Sequence, residues 1–269
     1  MIAELTLFTV SVLPIFLIGM FIYKKDREKE PSELLMKLFL GGIGSCFLVL
    51  ILSSILSLIF PMFFADTNDL NLIELVVYAF VCVALVEEFC KWIVAYKISY
   101  NDKDFDEFYD AILYCMFVAL GFACFENLLY VYENGIGTWV VRTLLAVPGH
   151  ACDGMFMGYY FGLSKLGALN NRKDLKIKNL VLSILVPTIM HGVYDYCLFT
   201  QRTVFIVLFL IFVVCIYVYV FKKIKKISSI NRRMKYKDNY CPNCGHIVDG
   251  NFCPICGRKN EWKNSVILG

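Results

Sequence analysis

Charge is scarce in this sequence. Asp, Glu, Lys and Arg account for 18% of 269 residues and nearly cancel, to +3, so charge points to no nucleic-acid partner. No segment repeats at the roughly 20–50-residue spacing of solenoids. The opening Met1-Ile2-Ala3-Glu4 has no positive n-region, so the first apolar segment is expected to be retained rather than cleaved as a signal peptide. In place of charge there is apolar bulk. Hydrophobic residues make up 59% of the chain and mean hydropathy is +0.64. That excludes an ordinary soluble domain and predicts an all-α polytopic membrane protein.

Seven apolar segments approach the ~20 residues needed to cross a bilayer: 4–23, 36–60, 72–96, 109–131, 139–163, 179–199 and 203–221. About seven transmembrane helices are therefore expected. Basic residues collect in alternate connections: Lys24, Lys25, Arg27 and Lys29; Lys97 and Lys103; Arg172, Lys173, Lys176 and Lys178; then Lys222, Lys223, Lys225, Lys226, Arg232 and Arg233. The intervening connections at 66–69, 133–135 and 201–202 hold little basic charge. The positive-inside rule then puts the N-terminus outside and the C-terminus in the cytoplasm of a multi-pass cell-membrane protein.

Twelve cysteines form two sets. Eight sit singly in apolar segments and read as small packing residues. The others, Cys241, Cys244, Cys253 and Cys256, form two C-x2-C knuckles eight residues apart. Four thiolates in paired turns suit a closed tetrahedral structural zinc site, and so short a tail needs a metal to fold. A cytoplasmic tail disfavours disulfides, and His246 is not needed as a ligand. The expected division is a transmembrane domain at 1–222, a basic linker at 223–238, a small cytoplasmic zinc ribbon at 239–259 and a tail at 260–269. The linker suits anionic lipid headgroups, and the ribbon suits a cytoplasmic protein partner.

The third segment holds Glu87, Glu88 and Lys91, each costing about 2.5–3.5 kcal/mol at membrane depth. Lys91 is i+4 from Glu87 and i+3 from Glu88. Successive helical residues point about 100° apart, so one glutamate is expected to pair while the other faces elsewhere. The i, i+4 geometry ties Glu87 to Lys91 and frees Glu88. Three later segments add polar groups. Glu126 and Tyr130 share a face beside Asn127. Pro148-Gly149-His150 is followed by Asp153 one turn on. His191 and Asp195 share a face, with Pro187 one turn before. The prolines are expected to loosen their helices, which membranes tolerate where backbone is buried in protein or lines water.

Carboxylates and imidazoles on four consecutive segments suit hydrolysis. A carboxylate can act as general base on water, and imidazoles can bind a metal or stabilise an oxyanion. His150, His191 and Glu87 or Glu88 match a His2Glu zinc site with an open position, with Asp195 orienting His191. Without metal, the free glutamate activates water directly. Both mechanisms fit these residues. Other signatures fail: there is no His-Glu-x-x-His helix, and Tyr194-Asp195 has no Gly-x-Gly-Asp partner. Gly41-Gly42-Ile43-Gly44-Ser45 reads as a small-residue helix surface. A non-catalytic bundle, or a proton or ion carrier, would use the same polar groups for packing or relay.

Glu87-Glu88-Phe89-Cys90-Lys91-Trp92, Gly121-Phe122-Ala123-Cys124-Phe125-Glu126-Asn127 with Tyr130, Pro148-Gly149-His150-Ala151 and His191-Gly192-Val193-Tyr194-Asp195 together resemble the PrsW-type intramembrane proteases. These are related to the CAAX prenyl proteases and to the Aph-1 scaffold subunit of gamma-secretase. The resemblance spans roughly residues 1–222 of a chain with an added cysteine-rich tail. It implies a prokaryotic intramembrane endopeptidase acting on membrane-anchored substrates, with the first cut in a single-span anti-sigma factor as the best-known role. Carried over, the catalytic positions are Glu87, Glu88, His150 and His191. The CAAX relatives suggest the first glutamate as base, whereas the pairing geometry suggests Glu88. The Aph-1 relationship implies the alternative of a non-catalytic scaffold or substrate-presenting subunit.

Overall fold

A computed structural model describes residues 2–229, 231, 234, 241, 248 and 250–259. In chain order the helices are α1 (Ile2–Lys25), α2 (Ser32–Ser57), α3 (Leu72–Val77), a π-helical stretch (Tyr78–Leu85), α4 (Val86–Ser99), α5 (Phe108–Asn134), α6 (Ile136–Leu144), α7 (Ala146–Leu169), α8 (Lys173–Phe199) and α9 (Thr203–Ser229). Among the described residues there is no strand, only a bridge between Phe252 and Lys259. The all-α expectation holds. Four helices (α2, α5, α8 and α9) are long and apolar enough to cross a membrane.

α5 is the axis of the bundle. It is apolar on nearly every side, the pattern of a helix buried all round, and Tyr109, Ile112, Leu113, Tyr114, Cys115 and Val118 are fully buried. It packs against α2 on one side and α7 on another, and α7 in turn packs against α8. The α2–α5 crossing is close because both helices lack a side chain there. A Cβ on Gly121 would collide with the Phe39 carbonyl, and one on Gly42 with the Val118 carbonyl. The small-residue surface around Gly42 thus serves packing. On the outside, Phe16 of α1, Leu50, Ile51 and Ile55 of α2 and Val214 of α9 are exposed, an apolar face suited to lipid.

Two expected segments are built differently. Segment 72–96 belongs to a run of consecutive helical elements, Leu72–Ser99, whose middle is π-helical. Segment 139–163 is two helices, broken at Leu145 (φ −117°, ψ −58°). Pro148 has no N–H to give the Leu144 carbonyl, but in the first turn of α7 none is required. The loosening therefore falls one turn before His150. α8 runs unbroken through Pro187; the local cost is that the Ser183 carbonyl loses its intrahelical donor.

At the C-terminal end, α9 extends to Ser229, well into the expected linker. Cys253 to Gly257 form a turn in which Gly257 N–H reaches the Cys253 carbonyl at 2.9 Å, with Gly257 at φ +75°, the region glycine favours. Lys226 Nζ donates to the Ile255 carbonyl at 3.3 Å, and Ile255 packs against the main core. Cys244, His246, most of the linker beyond 229 and residues 260–269 lie outside the described residues.

Candidate active site

The π-helical stretch delivers α4 to the centre of the bundle. π segments often mark functional sites, because an extra residue per turn rotates the next turns of helix to a new heading. Its Phe80 ring lies where a Cβ on Gly192 would stand. Glycine next to His191 thus lets this stretch seat against α8, bringing His191 to the glutamates of α4.

Lys91 is completely buried, and its ammonium contacts three polar groups and one aromatic ring. Nζ lies 2.8 Å from Glu88 Oε1, 3.3 Å from Glu87 Oε2 and 3.3 Å from His150 Nδ1, and 3.9 Å from the centre of the Phe122 ring. The expected Lys91–Glu87 pair forms, but Glu88 is not left free. A flexible stem carrying three donors reaches both i−3 and i−4 at once, and the shorter contact is to Glu88. Glu88 is 0% exposed.

Both histidines adopt one plan. An ammonium has only hydrogens to give, so Nδ1 of His150 accepts from Lys91. Its proton therefore sits on Nε2, which donates to Glu126 Oε2 at 2.7 Å. In His191, Nδ1 faces Glu88 Oε1 at 3.0 Å and Nε2 lies 3.3 Å from Asp195 Oδ2. Sharing α8 does not keep Asp195 from His191. Each imidazole turns Nδ1 toward α4, His150 to Lys91 and His191 to Glu88, and rests Nε2 against an outer carboxylate. The rings are 5.4 Å apart and nearly perpendicular. Glu87, the more exposed glutamate, has Oε2 3.9 Å from His191 Nε2.

Two residues not proposed for the site complete it. Asp153, three residues after His150 on one helical face, brings Oδ2 to 4.0 Å from His191 Nδ1. Arg142 of α6 pairs with Glu126 at 2.9 Å, donates to Asn127 Oδ1 at 3.3 Å and lies over the Tyr130 ring at 4.1 Å. The face shared by Glu126 and Tyr130 is therefore an arginine seat. Asn127 also donates to the Ser11 carbonyl of α1 at 3.0 Å, which gives it a bracing position. The signal for Arg142 was a lone cation inside an apolar stretch, which requires an anion on a neighbouring helix.

The donor set suits a metal ion. Glu88, His150, Asp153 and His191 each offer one ligand atom, all within 4.8 Å of one another. Glu88 Oε2 is a buried carboxylate oxygen with no hydrogen-bond partner. Two imidazoles and two carboxylates, with each imidazole backed by a further carboxylate, is the pattern of transition-metal sites. A second group of ligand type, Cys241, Cys253 and Cys256, lies in the tail. Within that group Cys241 Sγ is 3.4 Å from Cys256 Sγ.

Comparison with known proteins agrees with this chemistry. The family model described as PrsW family intramembrane metalloprotease matches residues 30–221. A protein named Protease PrsW from Oceanobacillus iheyensis is 33% identical over 232 residues, covering 84% of this chain and all of that protein. Proteins of the same name are 35% identical in Geobacillus kaustophilus (73% of this chain, 81% of that protein) and 32% identical in Bacillus subtilis (81% and 93%). No solved structure matches. The family match covers most of the chain and takes in Glu87, Glu88, His150 and His191; this chain belongs to the PrsW family of intramembrane metalloproteases.

Proposed function

We propose that the cluster around Lys91 hydrolyses peptide bonds of membrane-anchored proteins, with Glu87 as the base and Glu88 as the fixed carboxylate. What supports this reading is the plan common to the two histidines: Nδ1 inward, Nε2 on an outer carboxylate. Such an arrangement orients a ligand or an oxyanion donor, and generic helix packing has no need of it. Glu88 is anchored by Lys91 and His191. Glu87 makes only the longer contact to the ammonium, and its side chain is 13% exposed against 0% for Glu88. The less tethered carboxylate is the better placed to meet water.

In the reaction, Glu87 takes a proton from water as its oxygen attacks the peptide carbonyl carbon. The C–N bond then breaks, and Glu87 returns the proton to the departing amine. Lys91 balances the carboxylate charge throughout. Glu126 and Asp195 hold the imidazoles in orientation. Glu88, His150, Asp153 and His191 are the residues that would hold a metal such as zinc, which when bound acidifies water and polarises the carbonyl.

Family membership and the apolar helices make this a bacterial-type membrane protease. Beyond that, we infer about seven bilayer crossings with the C-terminus in the cytoplasm, counting α6 and α7 together as one crossing. The substrate implied by the family resemblance is a single-span anti-sigma factor, cut first at this site. Cys241, Cys244, Cys253 and Cys256 are assigned one structural zinc, in a ribbon that binds a cytoplasmic partner.

The test is cleavage of a tethered single-span reporter by the purified full-length protein. Glu87→Gln should lower kcat by about 10²–10⁴-fold without changing the fold, and Glu88→Gln, His150→Ala and His191→Ala should also inactivate. Wild-type turnover in all four variants, or a wild type with no hydrolysis, would leave the scaffold reading in its place.

A further inference from the structure

A second buried carboxylate cluster lies where the α1–α2 connection meets the start of α5, outside the histidine site. Asp26 is 4% exposed, Glu107 3% and Asp110 0%, and one carboxylate oxygen from each lies within 4.8 Å of the other two. Local structure accounts for one oxygen of each aspartate. Asp110 Oδ2 accepts the N–H groups of Asp106 (3.1 Å) and Glu107 (2.7 Å), capping α5. Asp26 Oδ2 accepts the Glu30 N–H at 3.2 Å. The other oxygens, Asp26 Oδ1 and Asp110 Oδ1, are buried with no hydrogen-bond partner. Capping does not explain them, and an unmet buried carboxylate oxygen is costly.

Among the described residues, the nearby cations Arg27 and Lys29 are engaged elsewhere. Arg27 donates to the Asn231 carbonyl at 3.1 Å, and Lys29 to the carbonyls of Tyr23 and Asp26 at 2.7 Å each. A fourth carboxylate, Glu30, is pushed up to about 7 by burial, as expected where acids outnumber available cations. Asn231 closes the corner: its Nδ2 donates to Glu107 Oε2 at 2.5 Å, and its Oδ1 accepts the Tyr109 N–H at 3.1 Å.

We propose that Asp26, Glu107 and Asp110 bind an oxygen-seeking divalent cation of the Mg2+ or Ca2+ class. The donors are all carboxylate oxygens, which suits those hard ions and not the softer ones chosen by imidazole or thiolate. The ion would join three stretches remote in sequence: the α1–α2 connection, the first turn of α5 and the segment at Asn231 leading to the cysteine tail. Asp110 is 16 residues before Glu126 on α5, about 24 Å along the helix, so this site and the catalytic one are separate.

The experiment uses full-length protein in detergent, exchanged into buffer free of divalent cations, then titrated separately with CaCl2 and MgCl2 by calorimetry and thermal melting. One equivalent should bind, with a rise in Tm, and the stronger of the two responses identifies the ion. Asp26→Asn and Asp110→Asn keep an oxygen for the backbone N–H groups and remove a charge; each should weaken binding at least ~10-fold. Glu88→Gln, which alters the other cluster, should bind as wild type does. If neither ion binds at millimolar concentration, or if binding is lost in Glu88→Gln and kept in the aspartate variants, the proposal fails. It fails equally if the melt responds only to acid, meaning that the carboxyls share protons. Should the aspartate variants not fold, the wild-type titration alone decides.

Discussion

Glu126 receives the Nε2 proton of His150 across 2.7 Å, so a carboxylate on α5 decides which nitrogen of a histidine on α7 faces the reaction cluster. The same oxygen also meets Arg142, which links α6 to the imidazole's orientation without touching the imidazole.

Glu126→Ala should therefore cut turnover roughly 10–100-fold, the usual cost of losing a carboxylate behind a ligand histidine. Glu126→Gln keeps an acceptor oxygen and should be milder. Helical content by circular dichroism should match wild type in both. Undiminished reporter cleavage by Glu126→Ala would mean that this carboxylate does not orient His150.

Arg142→Ala leaves Glu126 with His150 alone. Loss of the charge-assisted hydrogen bond to Asn127 in this mostly buried place should cost about 1.5–3 kcal/mol, read as a lower Tm in detergent. Cleavage should also fall, because the α6–α5 link is gone. Arg142→Lys should restore the charge but not the fork onto Glu126 and Asn127, and so rescue only in part. Complete rescue by lysine would show that charge alone matters.

At the α2–α5 crossing, Gly121→Val should destabilise by about 1–3 kcal/mol or more, since the Phe39 carbonyl cannot yield without moving α2. Gly137→Val, where open space surrounds the glycine, is the control and should melt close to wild type. Equal Tm values for the two would contradict a tight crossing.

In the tail, Cys253→Ser should release one equivalent of zinc, measured by metal analysis of the full chain. Histidine-site variants should leave that equivalent in place. Retention of both the zinc and its thiolate signature in Cys253→Ser would remove the tail assignment.

Charges in an apolar segment need compensation, and this made the four polar motifs legible one by one. Glu87, Glu88, His150 and His191 could be marked because each is expensive alone. Asp153 was visible as the residue one turn after His150, but nothing along the chain indicated that it faces His191 of α8. Arg142 was legible in principle, as a cation without a local anion; its partner is 16 residues back, across a helix break. Lys91 does meet Glu87, but Glu88 was misjudged as free because spacing along one helix ranks candidate partners by register alone. The preference for Glu88 was decided by His150 and His191, which come from α7 and α8.

Class, membrane character, the cysteine knuckles and the identity of the chemical groups are set by the one-dimensional order of residues, because hydropathy and helical period act locally. The inward turn of both Nδ1 atoms and the meeting of Asp26, Glu107 and Asp110 arise only from packing. Each depends on groups far apart in the chain whose separation is set by which helices lack side chains where they cross.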